Sequence, residues 1–183
     1  MAVTHKLIQT VTVGAGGAST VEFSSIPQTY TDLILLGSVR STSATSNTGE
    51  YDPIVYRFNA TTSGYTTKNL EGSGSSVLSA SQTTATGSGG GTYGRISNSG
   101  INNSLSGASM FSSFNWYIPN YSGSTNKLWS FEYCEERNAV ASFSEFIAGA
   151  WTNTAAISTV TLGLVIGNYA QYSSVSLYGI LKS

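Results

Sequence analysis

The sequence predicts an all-β chain, an antiparallel two-sheet sandwich of the jelly-roll kind with about ten strands. Three observations predict it. Apolar and polar residues alternate with a period of two through almost all of the 183 residues, the repeat of a strand with one buried face. The segments between the alternating runs are built from Gly, Asn, Pro and Ser, which is turn chemistry. No stretch carries a sustained helical stripe. The one candidate, residues 135–141, continues the alternation that follows it and reads as a short turn before a strand.

In chain order, strands are expected at residues 6–13, 20–24 and 32–40, divided by Gly14-Ala15-Gly16-Gly17 and Pro27-Gln28-Thr29. Two more follow at 54–58 and 93–96, with Ser/Thr/Gly-rich stretches at 41–49 and 72–91 read as long surface loops of a single domain over residues 1–183. Residues 110–118 and 128–134 form an antiparallel hairpin around Asn120-Tyr121-Ser122-Gly123. Within it, L-W-S-F-E-Y-C puts Trp129, Phe131 and Tyr133 on one face and Ser130 and Glu132 on the other. Strands at 140–150, 160–166 and 175–181 complete the set, and Trp116, Trp129 and Trp151 are assigned to the core. No internal repeat of solenoid or propeller length is present. Long loops and the lack of a helix favour two packed sheets over a closed barrel.

Composition narrows the function classes. Only 9% of residues are charged and the formal net charge is -1, which provides no basic field for a nucleic-acid backbone. The hydrophobic share is 40%, enough for a folded core, and nearly three residues in ten are Ser or Thr. No apolar run approaches the ~20 residues that span a bilayer, so no membrane partner is expected. Residues 1–13 lack a basic segment followed by an apolar one, and export by a standard signal is not expected.

Candidate chemistry is sparse. Cys134 is the single cysteine; it forms no internal disulfide and reads as a buried or half-buried thiol. His5 is the single histidine and is expected at an exposed or interface position rather than in a catalytic triad. The Glu50-x-Asp52 pair lacks the further oxygen ligands of a calcium loop and reads as solvated loop acids. Glu132, Glu135, Glu136 and Glu145 lie close enough in sequence to be weighed as a glycosidase pair. Glu132 alternates outward, and Glu135-Glu136-Arg137-Asn138 reads as a turn with its own ion pair, so a surface role is favoured for all four. The Gly14-x-Gly16 run has no helix after it to receive a phosphate. No catalytic, metal or cofactor site is therefore assigned.

Aromatics remain: 11 Tyr, 7 Phe and 3 Trp. Tyr30, Tyr51, Tyr65, Tyr93 and Tyr121 fall at loops or strand ends, where exposed tyrosines serve subunit contacts or sugar stacking. They are the candidate interface residues.

Val21-Glu22-Phe23-Ser24-Ser25-Ile26-Pro27-Gln28-Thr29-Tyr30-Thr31-Asp32-Leu33 resembles a V-E-F-x-x-I-P-Q-T-Y-T-D-L signature that recurs in virion structural proteins of tailed bacteriophages. The resemblance continues through Arg57-Phe58-Asn59, Ile118-Pro119-Asn120-Tyr121, the run from Gly149 to Ile157, the run from Gly167 to Ser173 and Leu177-Tyr178-Gly179-Ile180. One departure is Ser41-Thr42-Ser43-Ala44-Thr45-Ser46, where related chains carry charged loop residues. The resemblance implies a virion protein without enzymatic activity, assembled in the host cytoplasm. With the low charge, it points to a capsid decoration or cement protein that acts as a homotrimer and contacts other virion proteins such as the major capsid protein. The alternative is a tail fibre or receptor-binding head whose loops at 41–49 and 72–91 bind host surface glycans.

Overall fold

The computed structural model describes residues 4–44, 51–88, 90–136 and 142–181. Among them the chain is all-β, with three antiparallel sheets of eight, five and two strands and no helix. Fifteen strands are described, more than the ten or so expected.

The chain runs through β1 (His5–Thr12), β2 (Thr20–Phe23), β3 (Asp32–Val39), β4 (Tyr51–Asp52), β5 (Ile54–Phe58), β6 (Tyr65–Gly72), β7 (Val77–Gln82) and β8 (Thr84–Thr86). It continues through β9 (Thr92–Arg95), β10 (Ile101–Asn102), β11 (Ser112–Pro119), β12 (Lys127–Glu135), β13 (Phe143–Trp151), β14 (Val160–Leu164) and β15 (Ser174–Ile180). The large sheet has the order β1-β15-β3-β11-β12-β13-β6-β7, and the smaller one β2-β14-β5-β9-β8. β4 and β10 form a separate pair.

A nested pairing organises this order. β1 pairs with β15, β2 with β14, β3 with β11 and β5 with β9, so the two halves of the chain lie against each other in reverse order. The first three strands alternate between the sheets. Two insertions then widen the large sheet: β12 and β13 follow β11, and β6 and β7 are added beyond them.

The expected loop at 72–91 therefore holds β7 and β8. Of the other expected loop, residues 45–49 lie outside the described residues, as does most of the turn expected at 135–141. β6 was not expected because its inward positions, Thr67, Asn69 and Glu71, are polar, which erases the hydrophobic alternation that marks a strand.

Alternation explains which face of each strand is buried. In β11, Phe114, Trp116 and Ile118 point inward, and in β12, Trp129, Phe131 and Tyr133 do. Tyr56 of the small sheet meets Trp116 and Trp129 of the large one edge-on, with ring centroids 5.1 and 5.2 Å apart. Phe58 stacks on Trp116 at 5.5 Å. Each such pair adds roughly 0.5–1.5 kcal/mol beyond the area it buries. All three tryptophans are buried, as expected.

Two glycines make this packing possible. A Cβ on Gly149 would lie 1.9 Å from the Trp129 ring, and one on Gly179 would lie 2.3 Å from the Tyr30 ring. The β11–β12 hairpin turns through Asn120, at φ 49°, and Lys127 holds the loop by donating from Nζ to the carbonyls of Gly123, Thr125 and Thr154.

Candidate assembly surface

The inner face of the central strands of the large sheet is consumed by the core; among the described residues the outer face is left open. Cross-strand register lays it out in rows. One row runs Ser176, Leu36, Asn115, Glu132, Phe146, Leu70, Ser79 from β15 to β7. The next runs Ser174, Ser38, Ser113, Cys134, Ser144, Gly72, Val77. The second row is small side chains almost throughout, so it forms the floor of a trough of about 670 Å³. Phe146, Leu70 and Glu132 stand along the trough and Val77 stands at its end.

This face is apolar for a surface. Leu128 is 64% exposed, and Leu70 and Phe146 are each 53% exposed. Its exposed charged side chains among the described residues are Glu132 on β12 and Lys68 on β6, where Lys68 donates to Ser81, while Asp32 on β3 is covered. Hydroxyls and amides fill most of the rest.

Cys134 is exposed on this face, 3.1 Å from the Ser113 hydroxyl, and corrects the expectation of a buried or half-buried thiol. β12 alternates Tyr133 inward and Cys134 outward. Native protein treated with a thiol-specific chromogenic reagent should release the colour of one thiol without denaturant; a thiol that reacts only after unfolding would contradict this placement.

The candidate tyrosines separate into two groups. Tyr30 and Tyr51 are half-buried, Tyr30 against Gly179 and Tyr51 edge-on to Phe143. Tyr65, Tyr93 and Tyr121 are buried, so their expected exposure is corrected. The Tyr65 hydroxyl accepts from the Phe58 amide at 2.9 Å and its ring stacks on Trp151. The Arg57 guanidinium covers the Tyr93 ring at 3.7 Å, and the Tyr121 hydroxyl donates to the Pro27 carbonyl. Burial raises the Tyr65 and Tyr121 pKa values above the ordinary phenol value. Strand-end position in sequence does not report what packs above a ring.

The carboxylates also rearrange. Glu132 points outward as expected, but Glu135 and Glu145 are buried, which corrects their surface assignment. Glu132 and Glu145 lie on opposite faces of the sheet and do not face one another as an acid pair. Arg137 and Asn138 lie outside the described residues.

Glu145 faces Glu71 across β13 and β6. Its carboxylate accepts from the Tyr133 hydroxyl at 2.6 Å, the Ser97 hydroxyl at 2.5 Å and Asn69 Nδ2 at 3.0 Å. The Ser99 hydroxyl donates to Glu71. Burial, and then the neighbouring Glu71, raise the Glu145 pKa above the ordinary Glu value. The gap beside Ser97, Ser99 and Tyr133 has no room for a water molecule, so on that side the cluster joins parts of the fold by direct contact.

Asp52 is buried rather than a solvated loop acid, while Glu50 lies outside the described residues. Asp32 accepts from the Tyr117 hydroxyl at 2.7 Å and the Asn120 amide at 2.9 Å, both on segments distant in sequence. Burial, followed by Asp32, pushes the Tyr117 pKa up to about 12. His5 is exposed. No group of three or more His, Cys, Asp or Glu side chains among the described residues is placed to hold a metal ion. No family model, curated protein or solved structure matches the chain.

Proposed function

We propose that this chain is a structural protein of the tailed-phage virion, a non-enzymatic decoration or cement subunit that adheres through the outer face of its eight-stranded sheet. One observation carries the reading: this face is broad and nearly uncharged. Eight strands of six to nine residues cover roughly 1,000 Å², against about 800 Å² per partner in a standard stable interface. An interface of Ser, Thr, Leu and Phe avoids the desolvation of charges that burial would impose.

The nested strand pairing supports the finer fold reading. Without the inserted strands, β1-β15-β3-β11 opposite β2-β14-β5-β9 has the winding of a jelly roll, an architecture that occurs in viral capsid domains. The insertions then widen the adhesive sheet.

Phe146→Glu with Leu128→Glu tests the proposal. Both residues are largely exposed, so the melting temperature should stay within the small range of surface substitutions. Binding to shells assembled without the protein, measured by co-sedimentation, should be lost. Undiminished binding would contradict the assignment. The trough also favours a second reading, since Phe146 beside Asn115, Glu132 and Ser144 offers a stacking surface with polar neighbours suited to a host glycan. A glycan array would separate the two, because a decoration subunit gives no signal there.

A further inference from the structure

The two edges of the eight-stranded sheet differ in a way that identifies a partner. At one edge, β1 is guarded by His5 and Lys6 and by a register shift between Leu7 and Gln9, the devices that keep edge strands from pairing with other chains. At the other, β7 has no charge, no proline and an unbroken register against β6 from Gln82 to Val77. Val77 is 72% exposed and Leu78 57% exposed. After Thr83 the chain forms β8, the edge of the five-stranded sheet. Both sheets thus end in one uncharged segment, and no charged residue occurs between Glu71 and Arg95. Unpaired backbone donors and acceptors on such a strand are a template for another strand.

We infer that β7 pairs antiparallel with β7 of a second copy of this chain, about a two-fold axis, joining two eight-stranded sheets into one in place of the homotrimer that the resemblance implies. The inference rests on the assembly reading for its purpose, and on the edge itself for its geometry. A two-fold contact requires a self-complementary strand. A strand without charges meets this requirement, because its own copy brings no like charge opposite.

For both outer faces to lie on the same side, residues of equal parity must stand opposite each other, which puts the axis on Ser79 or Ala80. An axis at Ala80 brings Ser79 opposite Ser81 and Leu78 opposite Gln82. An axis at Ser79 brings Val77 opposite Ser81. Either covers part of the exposed apolar edge and aligns the two adhesive faces as one platform of doubled area.

The full chain should sediment with twice the mass of one chain across a dilution series, and Val77→Lys with Ser79→Lys should return it to the mass of one. In a Cys134→Ser background, Ser79→Cys or Ala80→Cys should cross-link into a disulfide-bonded pair under mild oxidation. This arm decides the question even if the lysine variant fails to fold. A single-chain mass throughout, a three-fold mass, a pair that survives both lysines, or no cross-link at either position would each overturn the inference. Phe146→Glu should leave the doubled mass intact, so failure of the shell-binding reading and failure of this one are distinguishable.

Discussion

Asp52→Ala should lower the melting temperature by roughly 8–16 °C, the equivalent of about 4 kcal/mol in a chain of this size. The side chain is fully buried and ties together three segments far apart in sequence. Oδ2 accepts from the Ser41 hydroxyl and the Gly167 amide, each at 2.7 Å, and Oδ1 accepts from the Ile166 amide at 3.0 Å. Ser41 in turn accepts from the Ser43 amide at 3.0 Å and bridges to Tyr169. Removing the carboxylate leaves two backbone donors and a hydroxyl inside the protein without an acceptor. Each such group costs about 1–3 kcal/mol, and the loop after β3 keeps only its backbone and Thr42 bonds to the segment between β14 and β15. Asp52→Asn keeps one acceptor oxygen but turns an amide nitrogen toward a donor, so about half the loss is expected. Thermal denaturation of both variants checks this. An alanine variant within about 2 °C of the parent, or an asparagine variant equally damaged, would rule out the bonding role.

The parts of the fold legible in sequence are those whose inward positions are apolar. The faces of β11 and β12, and the hairpin joining them, follow from Phe114, Trp116, Trp129 and Phe131 alone. β6 and β7 were not legible for opposite reasons. β6 turns Thr67, Asn69 and Glu71 inward, and these are accommodated by partners that only the fold supplies: Arg95 O for Thr67, Glu145 for Asn69, and Ser99 for Glu71. β7 is so rich in serine that its composition is that of a linker, and its order comes from pairing with β6. The candidate surface was legible only in fragments. Leu128 stands out of phase with Trp129 and Phe131, and Leu70 sits between Asn69 and Glu71. Neither signals a shared face until strand order brings β12, β13 and β6 together. The tyrosines misled because a ring at a strand end is covered or uncovered by chain from elsewhere, as Pro27 does for Tyr121.

Stability should also fall as pH rises above the ordinary Glu value, and Glu71→Gln should weaken that fall. The cause is the carboxyl pair of Glu71 and Glu145, hydrogen bonded inside the sheet. Among the described residues, Tyr133 on β12 contacts the cluster, and Glu135 on the same strand acts on Tyr133. Arg95 directs its guanidinium to the carbonyls of Ser97 and Asn98. Glu145 is raised above 4.5 in the folded chain and titrates normally when unfolded. Between these two values the folded state holds a proton that the unfolded state has released, so raising the pH favours unfolding. The contribution is fully present below the unfolded value and is lost as pH passes through the folded one. Glu71→Gln removes the neighbouring charge and supplies an amide donor to Glu145 while keeping an oxygen for Ser99. It should therefore be more stable than the parent on the alkaline side, by about 1–2 kcal/mol. Glu145→Gln is the same change in shape with the opposite outcome. Its amide nitrogen faces a site built from three donors, Tyr133, Ser97 and Asn69, and a loss of about 2–4 kcal/mol is expected at every pH. Denaturant melts of both variants across pH test the pair. If the parent gains stability from acid to neutral pH while Glu71→Gln does not differ from it, the two carboxyls do not share a proton, and the polar cluster is held by its hydroxyl donors alone.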